Sequence, residues 1–134
     1  MKVLWLVSFR PIGQSKSNDL FQSMFVDSVK SLNCEVYFSL TQFDEPNVKK
    51  FIKEKKIKKF YKNISKKKLP LGKKYSNKYM LSNALDQYIE KGKFDYLVFS
   101  TADIIVPNNL FNVLKKINLK NFCGFVFPNT QIIN

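Results

Sequence analysis

Asp103 is the residue in this chain whose surroundings most suit chemistry. It follows the stretch Phe94 to Phe99, in which Tyr96, Leu97, Val98 and Phe99 form an unbroken apolar run. The run is too short for a typical helix, and its aromatic and β-branched content suits a strand covered on both faces in a parallel sheet. Ser100, Thr101 and Ala102 are small or polar, so the strand ends there, and Pro107 suits the first position of a following helix because its missing N–H costs nothing there. A carboxylate just past the C-terminal end of a central parallel strand sits where open α/β sheets bind ligands. The same residues also suit a plain turn into Pro107.

Other chemistries are excluded by what the chain lacks. With no histidine, it has no histidine base and no histidine-ligated metal. It contains no Walker loop, GxGxxG, GxSxG or CxxC. Cys34 and Cys123 each open an apolar segment, which reads as two buried free thiols in a reducing compartment.

The elements that must position Asp103 emerge from the hydrophobic pattern. Lys2–Phe9 reads as a strand buried on both faces and the segment 10–17 as a loop. Asn18–Leu32 reads as a helix with Phe21, Met24, Phe25, Val29 and Leu32 inward. The strand-like start carries no small-residue cleavage site, so it is read as a strand and not as a leader. Glu35–Phe43 is a second strand, and Pro46 opens a short helix with Val48, Phe51 and Ile52 inward. Lys58–Ile64 is a third strand. Ser76–Lys91 is a helix through Leu81, Ala84, Leu85, Tyr88 and Ile89, with Gly92 as its C-cap. After Phe94–Phe99 come a helix from Pro107 to Ile117 and a last strand, Phe122–Phe127. Strands alternating with helices predict a single α/β domain over residues 1–134, a mostly parallel sheet with helices on both faces.

The net charge of +13 is almost all lysine, Arg10 being the sole arginine. Lysine is densest from Lys49 to Lys74, including KEKKIKKF and SKKKLPLGKK. A surface of this kind attracts polyanions and anionic lipid headgroups. Near-absence of arginine and of aromatic recognition motifs speaks against sequence-specific nucleic-acid binding, although a basic α/β module that holds nucleic acid or an anionic surface without catalysis is the alternative reading.

The stretch YSNKYMLSNALDQYIEKGKFDYLVFSTADIIVPNNLF resembles the core of GT-A-type (family 2-like), nucleotide-sugar-dependent glycosyltransferases. In that family a helix with a small-residue/Asn patch leads into a hydrophobic strand ending in Asp-x-Asp, then a proline and a helix. Asn83 and Ala84 correspond to the patch, Thr101-Ala102-Asp103 to the motif, and Pro107 and Leu110 to the proline and the helix after it. The resemblance implies a Rossmann-like nucleotide-diphospho-sugar transferase fold and a sugar donor bound through its diphosphate. It implies Mg²⁺ or Mn²⁺ on Asp103, with Asp44 at the nucleotide base or ribose and Ser8, Arg10, Asn83 and Thr101 bordering the nucleotide. Thr101 stands where the family has its first aspartate, leaving one carboxylate for the metal, which such ions tolerate by keeping waters and substrate phosphates as ligands. The family's acceptor-binding half and catalytic base correspond to nothing within the 134 residues, so the expectation is a donor-binding part. The expected setting is cytoplasmic, loosely attached to the inner membrane face through lysines.

Overall fold

A computed structural model of the chain describes residues 1–42, 46–64 and 77–116. Within them the order is β1 (Lys2–Val7), α1 (Lys16–Lys30), β2 (Glu35–Gln42), α2 (Pro46–Glu54), β3 (Phe60–Ile64), α3 (Asn77–Lys91), β4 (Tyr96–Phe99) and α4 (Leu110–Lys116). The expected strand Phe122–Phe127, Cys123, Asp44 and the lysine segment 65–76 lie outside the described residues.

Among the described residues all pairings are parallel, and the strand order is β3-β2-β1-β4. The chain therefore steps outward from β1 to β2 to β3, then crosses back over the sheet to add β4 on the other side of β1. Right-handed crossovers put the helices of the two directions on opposite faces, and the packing agrees. Val3, Trp5 and Val7 of β1 join Phe25, Val26 and Val29 of α1, Val48, Phe51 and Ile52 of α2, and Phe111 of α4 in one core. Leu6 meets Met80 and Ala84 of α3 on the other face, with Leu97 against them. The molecule is thus an α/β domain with a parallel sheet covered on both faces, compatible with a Rossmann-like fold.

Covered on both sides, β1 is apolar throughout from Val3 to Val7, and all five residues are buried. Trp5 packs edge-on against Phe25 at 6.0 Å between ring centroids. β4 differs from expectation. Among the described residues it is an edge strand, as β3 is on the other side, with Tyr96, Leu97 and Val98 half-buried and Phe99 51% exposed. The central, fully covered strand is β1. An apolar run fixes neither a strand's place in the spatial order nor, at an edge, its coverage.

The helices correct the sequence reading in one consistent way. α1 begins two residues before the expected Asn18, because Ser15 caps it by accepting from the Asn18 N–H at 3.4 Å. Its inward face is Gln22, Phe25, Val26 and Val29, while Phe21 and Met24 are 47% and 38% exposed. In α3, Met80 and Ala84 face the core, and Leu81, Leu85 and Ile89 are exposed. Each inward face includes a glutamine. Gln22 holds the Arg10 main chain, and Gln87 accepts from the buried Ser39 hydroxyl at 2.6 Å. A polar side chain with a buried partner belongs to the core, but hydrophobic spacing counts it as surface and rotates the inferred face.

Other local features match expectation. Gly92 sits at φ +58 with its N–H on the Tyr88 carbonyl, ending α3. Val48, Phe51 and Ile52 of α2 are buried. The helix expected from Pro107 differs: α4 starts only at Leu110, and Pro107 instead opens a turn, its carbonyl accepting from the Leu110 N–H. Cys34 is a free thiol, half-buried where full burial was expected. Burial raises its pKa, partly offset by the N-terminal ammonium and Lys115.

Candidate functional site

The sheet reverses its winding between β1 and β4, and the two loops leaving their C-terminal ends diverge there. In doubly wound sheets this crevice is where ligands bind. The loop after β1 is anchored by side chains of α1 and α2 and the loop after β4 by its own residues, so the main chain carrying the site's side chains is positioned.

The loop after β1 is held by three side chains. Buried Gln22 accepts from the Arg10 N–H at 2.6 Å, and its amide reaches back to the Arg10 carbonyl at 3.5 Å. Asp19 takes the Gly13 N–H on both carboxylate oxygens, at 3.0 and 3.2 Å. Gly13 adopts φ +90, a conformation that L side chains rarely adopt. Asn47 donates to the Ile12 carbonyl at 3.1 Å. Phe9, beside Arg10, is buried against Phe51.

The loop after β4 is anchored on both sides of Asp103. Ser100 accepts the Trp5 indole N–H at 2.8 Å. Ala102 and Val106 are buried in the main core, and the Val106 N–H donates to the Ser28 hydroxyl of α1 at 3.0 Å. Between these anchors Asp103 turns outward, flanked by the exposed Ile104 and Ile105.

Arg10 and Asp103, 93 residues apart in sequence, meet across this crevice. A guanidinium nitrogen lies 3.4 Å from Asp103 Oδ2, and the two side chains are 49% and 35% exposed. Of the other expected site residues, Ser8 is half-buried just past β1 and Thr101 is exposed two residues before Asp103. Asn83 lies on α3 between the inward Met80 and Gln87. Its amide nitrogen is buried without a hydrogen-bond partner among the described residues, so it is not joined to the Arg10–Asp103 pair. Asp44 lies outside the described residues.

Gln22, Ser100 and Asn47 escaped the sequence reading. The available signal was Gln22 itself, a polar residue interrupting the apolar face of α1. Replacing Gln22 with Leu keeps the volume and strands the Arg10 N–H, so stability should fall by about 1–3 kcal/mol. Urea unfolding of the variant measures this, and exchange of the Arg10 amide should accelerate more than that of β1.

As a metal site, the crevice offers one carboxylate. No group of three or more potential ligands occurs among the described residues, and a cation on Asp103 would lie beside the Arg10 guanidinium. Oxygen donation suits a hard cation. The donor set fits such an ion only together with a diphosphate that supplies oxygens and draws Arg10 away, and it does not fit a resident ion.

A hollow of about 300 Å³, lined by Val29, Cys34, Glu35, Lys58 and Lys59 among others, opens at the opposite, N-terminal end of the strands. The Glu35 carboxyl there is held down to about 2, first by its hydrogen bond from Lys59 and then by that from Tyr37. Doubly wound sheets do not take their ligands at that end, although its lining is basic, with Lys30, Lys56, Lys58 and Lys59 around the single carboxylate Glu35, which Lys59 contacts at 2.8 Å. The crevice at the C-terminal ends is therefore the candidate site. Comparison of the chain with family models, with curated proteins and with solved structures found no match.

Proposed function

We propose that this chain is the donor-binding part of a GT-A-like glycosyltransferase, holding a nucleotide-diphosphate sugar at the crevice between β1 and β4. The observation that carries this reading is the meeting of Arg10 and Asp103 at the point where the sheet reverses its winding. An anion-binding fork and a hard-cation ligand stand side by side there, the two functions a metal-bound diphosphate requires. Mg²⁺ or Mn²⁺, when bound, would neutralise charge on the departing nucleotide. Arg10 would orient the diphosphate, with Ser8 and Thr101 at the margins, while Asp44 would hold the base or ribose. Asn83 offers, on the α3 side, an amide nitrogen without a hydrogen-bond partner among the described residues. Calorimetric titration with nucleoside diphosphates and their sugar conjugates in Mn²⁺ tests the reading. Binding that tracks the nucleoside and the metal supports it, and indifference to both defeats it.

The alternative, a basic module without catalysis, is favoured by one feature. Lys49, Lys50, Lys53, Lys56, Lys58 and Lys59 are exposed on α2 and the turn after it, while Val48, Phe51, Ile52 and Ile57 beneath them are buried. We read this face as an attachment to the anionic inner face of a membrane from the cytoplasmic side, compatible with the donor site and serving it. No helix among the described residues is long and apolar enough to cross a membrane. Sedimentation with phosphatidylserine vesicles should show weak binding that vanishes as salt rises past physiological strength. Binding to one oligonucleotide sequence that survives high salt would favour the nucleic-acid module instead.

A further inference from the structure

We propose that Arg10 is the anchor for the diphosphate and that Asp103 is its resting counter-ion, so that cation and diphosphate bind by dividing one ion pair between them. This rests on the nucleotide-diphosphate reading above and goes beyond it by assigning the two residues opposed roles when no metal is present.

The geometry separates a fixed part from a movable one. The Arg10 main chain is clamped by Gln22 on both its N–H and its carbonyl, and the next turns of the loop are held by Asn47 and Asp19. The guanidinium, in contrast, is half exposed and touches Asp103 at 3.4 Å. That is long beside the roughly 2.7–2.9 Å of a tight charge-assisted hydrogen bond. A pair this open and loose is weakly held, so a better anion takes the guanidinium with little opposition. A diphosphate is such an anion, because the planar fork matches two phosphate oxygens at once. No lysine can replace that fork, and Arg10 is the only arginine in the chain.

Each ligand then removes the other's competitor. A divalent cation on Asp103 releases Arg10, and a diphosphate on Arg10 releases Asp103. The two ligands must therefore raise each other's affinity by the same factor, in addition to their direct attraction. One consequence runs against the usual view of a metal-binding aspartate. Without metal, Asp103 opposes diphosphate binding, both by occupying Arg10 and by repelling the phosphate charge.

Inorganic pyrophosphate, titrated in EDTA and followed by amide chemical shifts, tests this on the parent, Asp103→Asn and Arg10→Gln. Asp103→Asn should bind metal-free pyrophosphate about two- to fivefold more tightly than the parent, the range expected for release of one exposed ion pair. Arg10→Gln should lose most of that binding. Both side chains are exposed, so both variants should fold, which circular dichroism checks. Equal or weaker pyrophosphate binding in Asp103→Asn, or undiminished binding in Arg10→Gln, overturns the proposal. Failure of the underlying reading looks different: the pyrophosphate pattern appears as described, yet nucleoside diphosphates in Mn²⁺ bind no better than pyrophosphate.

Discussion

With Mn²⁺ present, Asp103→Asn should weaken nucleoside-diphosphate binding by about 10- to 100-fold, the loss expected when a charged contact worth roughly 1.5–3 kcal/mol disappears. The substitution keeps the shape of the side chain. It leaves the anchors on either side, Ala102 and Val106, in the core, so the unfolding midpoint should not move. The sign must reverse in EDTA, where the same variant binds the diphosphate more tightly because Arg10 is freed. Isothermal calorimetry in the two buffers measures both arms. A residue that only turned the chain toward Pro107 would change neither, and one that only bound metal would change the first alone.

Trp5→Ala should be the most damaging single change in the described part of the chain. Trp5 is 1% exposed on the central strand, packs edge-on against Phe25, and donates its indole N–H to Ser100. Removing the ring leaves a cavity costing about 3–5 kcal/mol, a large share of the roughly 5–15 kcal/mol that holds a domain together. Trp5→Phe keeps most of the packing and loses the hydrogen bond, so it should cost far less. It should still loosen the start of the loop that carries Asp103. Urea denaturation followed by circular dichroism gives both values, and diphosphate affinity in Trp5→Phe separates positioning of that loop from stability.

The same physics decides what the sequence makes legible. Elements whose inward residues are all apolar can be read directly, as in β1 and in α2 with Val48, Phe51 and Ile52. Gly92 is legible as a cap because the left-handed conformation favours glycine. The faces of α1 and α3 are misplaced by spacing alone, because Gln22 and Gln87 go inward with partners that lie far off in sequence. The position of β4 is misjudged because an apolar run carries no information about which strands flank it. Asp103 can be singled out from local pattern, the switch from apolar run to small polar residues. Its partner cannot. Arg10 reaches Asp103 only because β4 returns beside β1, a long-range consequence of the crossover.

The most direct test of the central claim is a crystal structure grown with a nucleoside diphosphate and Mn²⁺. The expected result is a diphosphate between the loops after β1 and β4, its oxygens on the Arg10 guanidinium, and the metal bridging it to the Asp103 carboxylate, with the Arg10–Asp103 contact broken. A diphosphate bound at the opposite end of the strands, in the hollow beside Lys58 and Lys59, or bound with Arg10 still on Asp103, would contradict it.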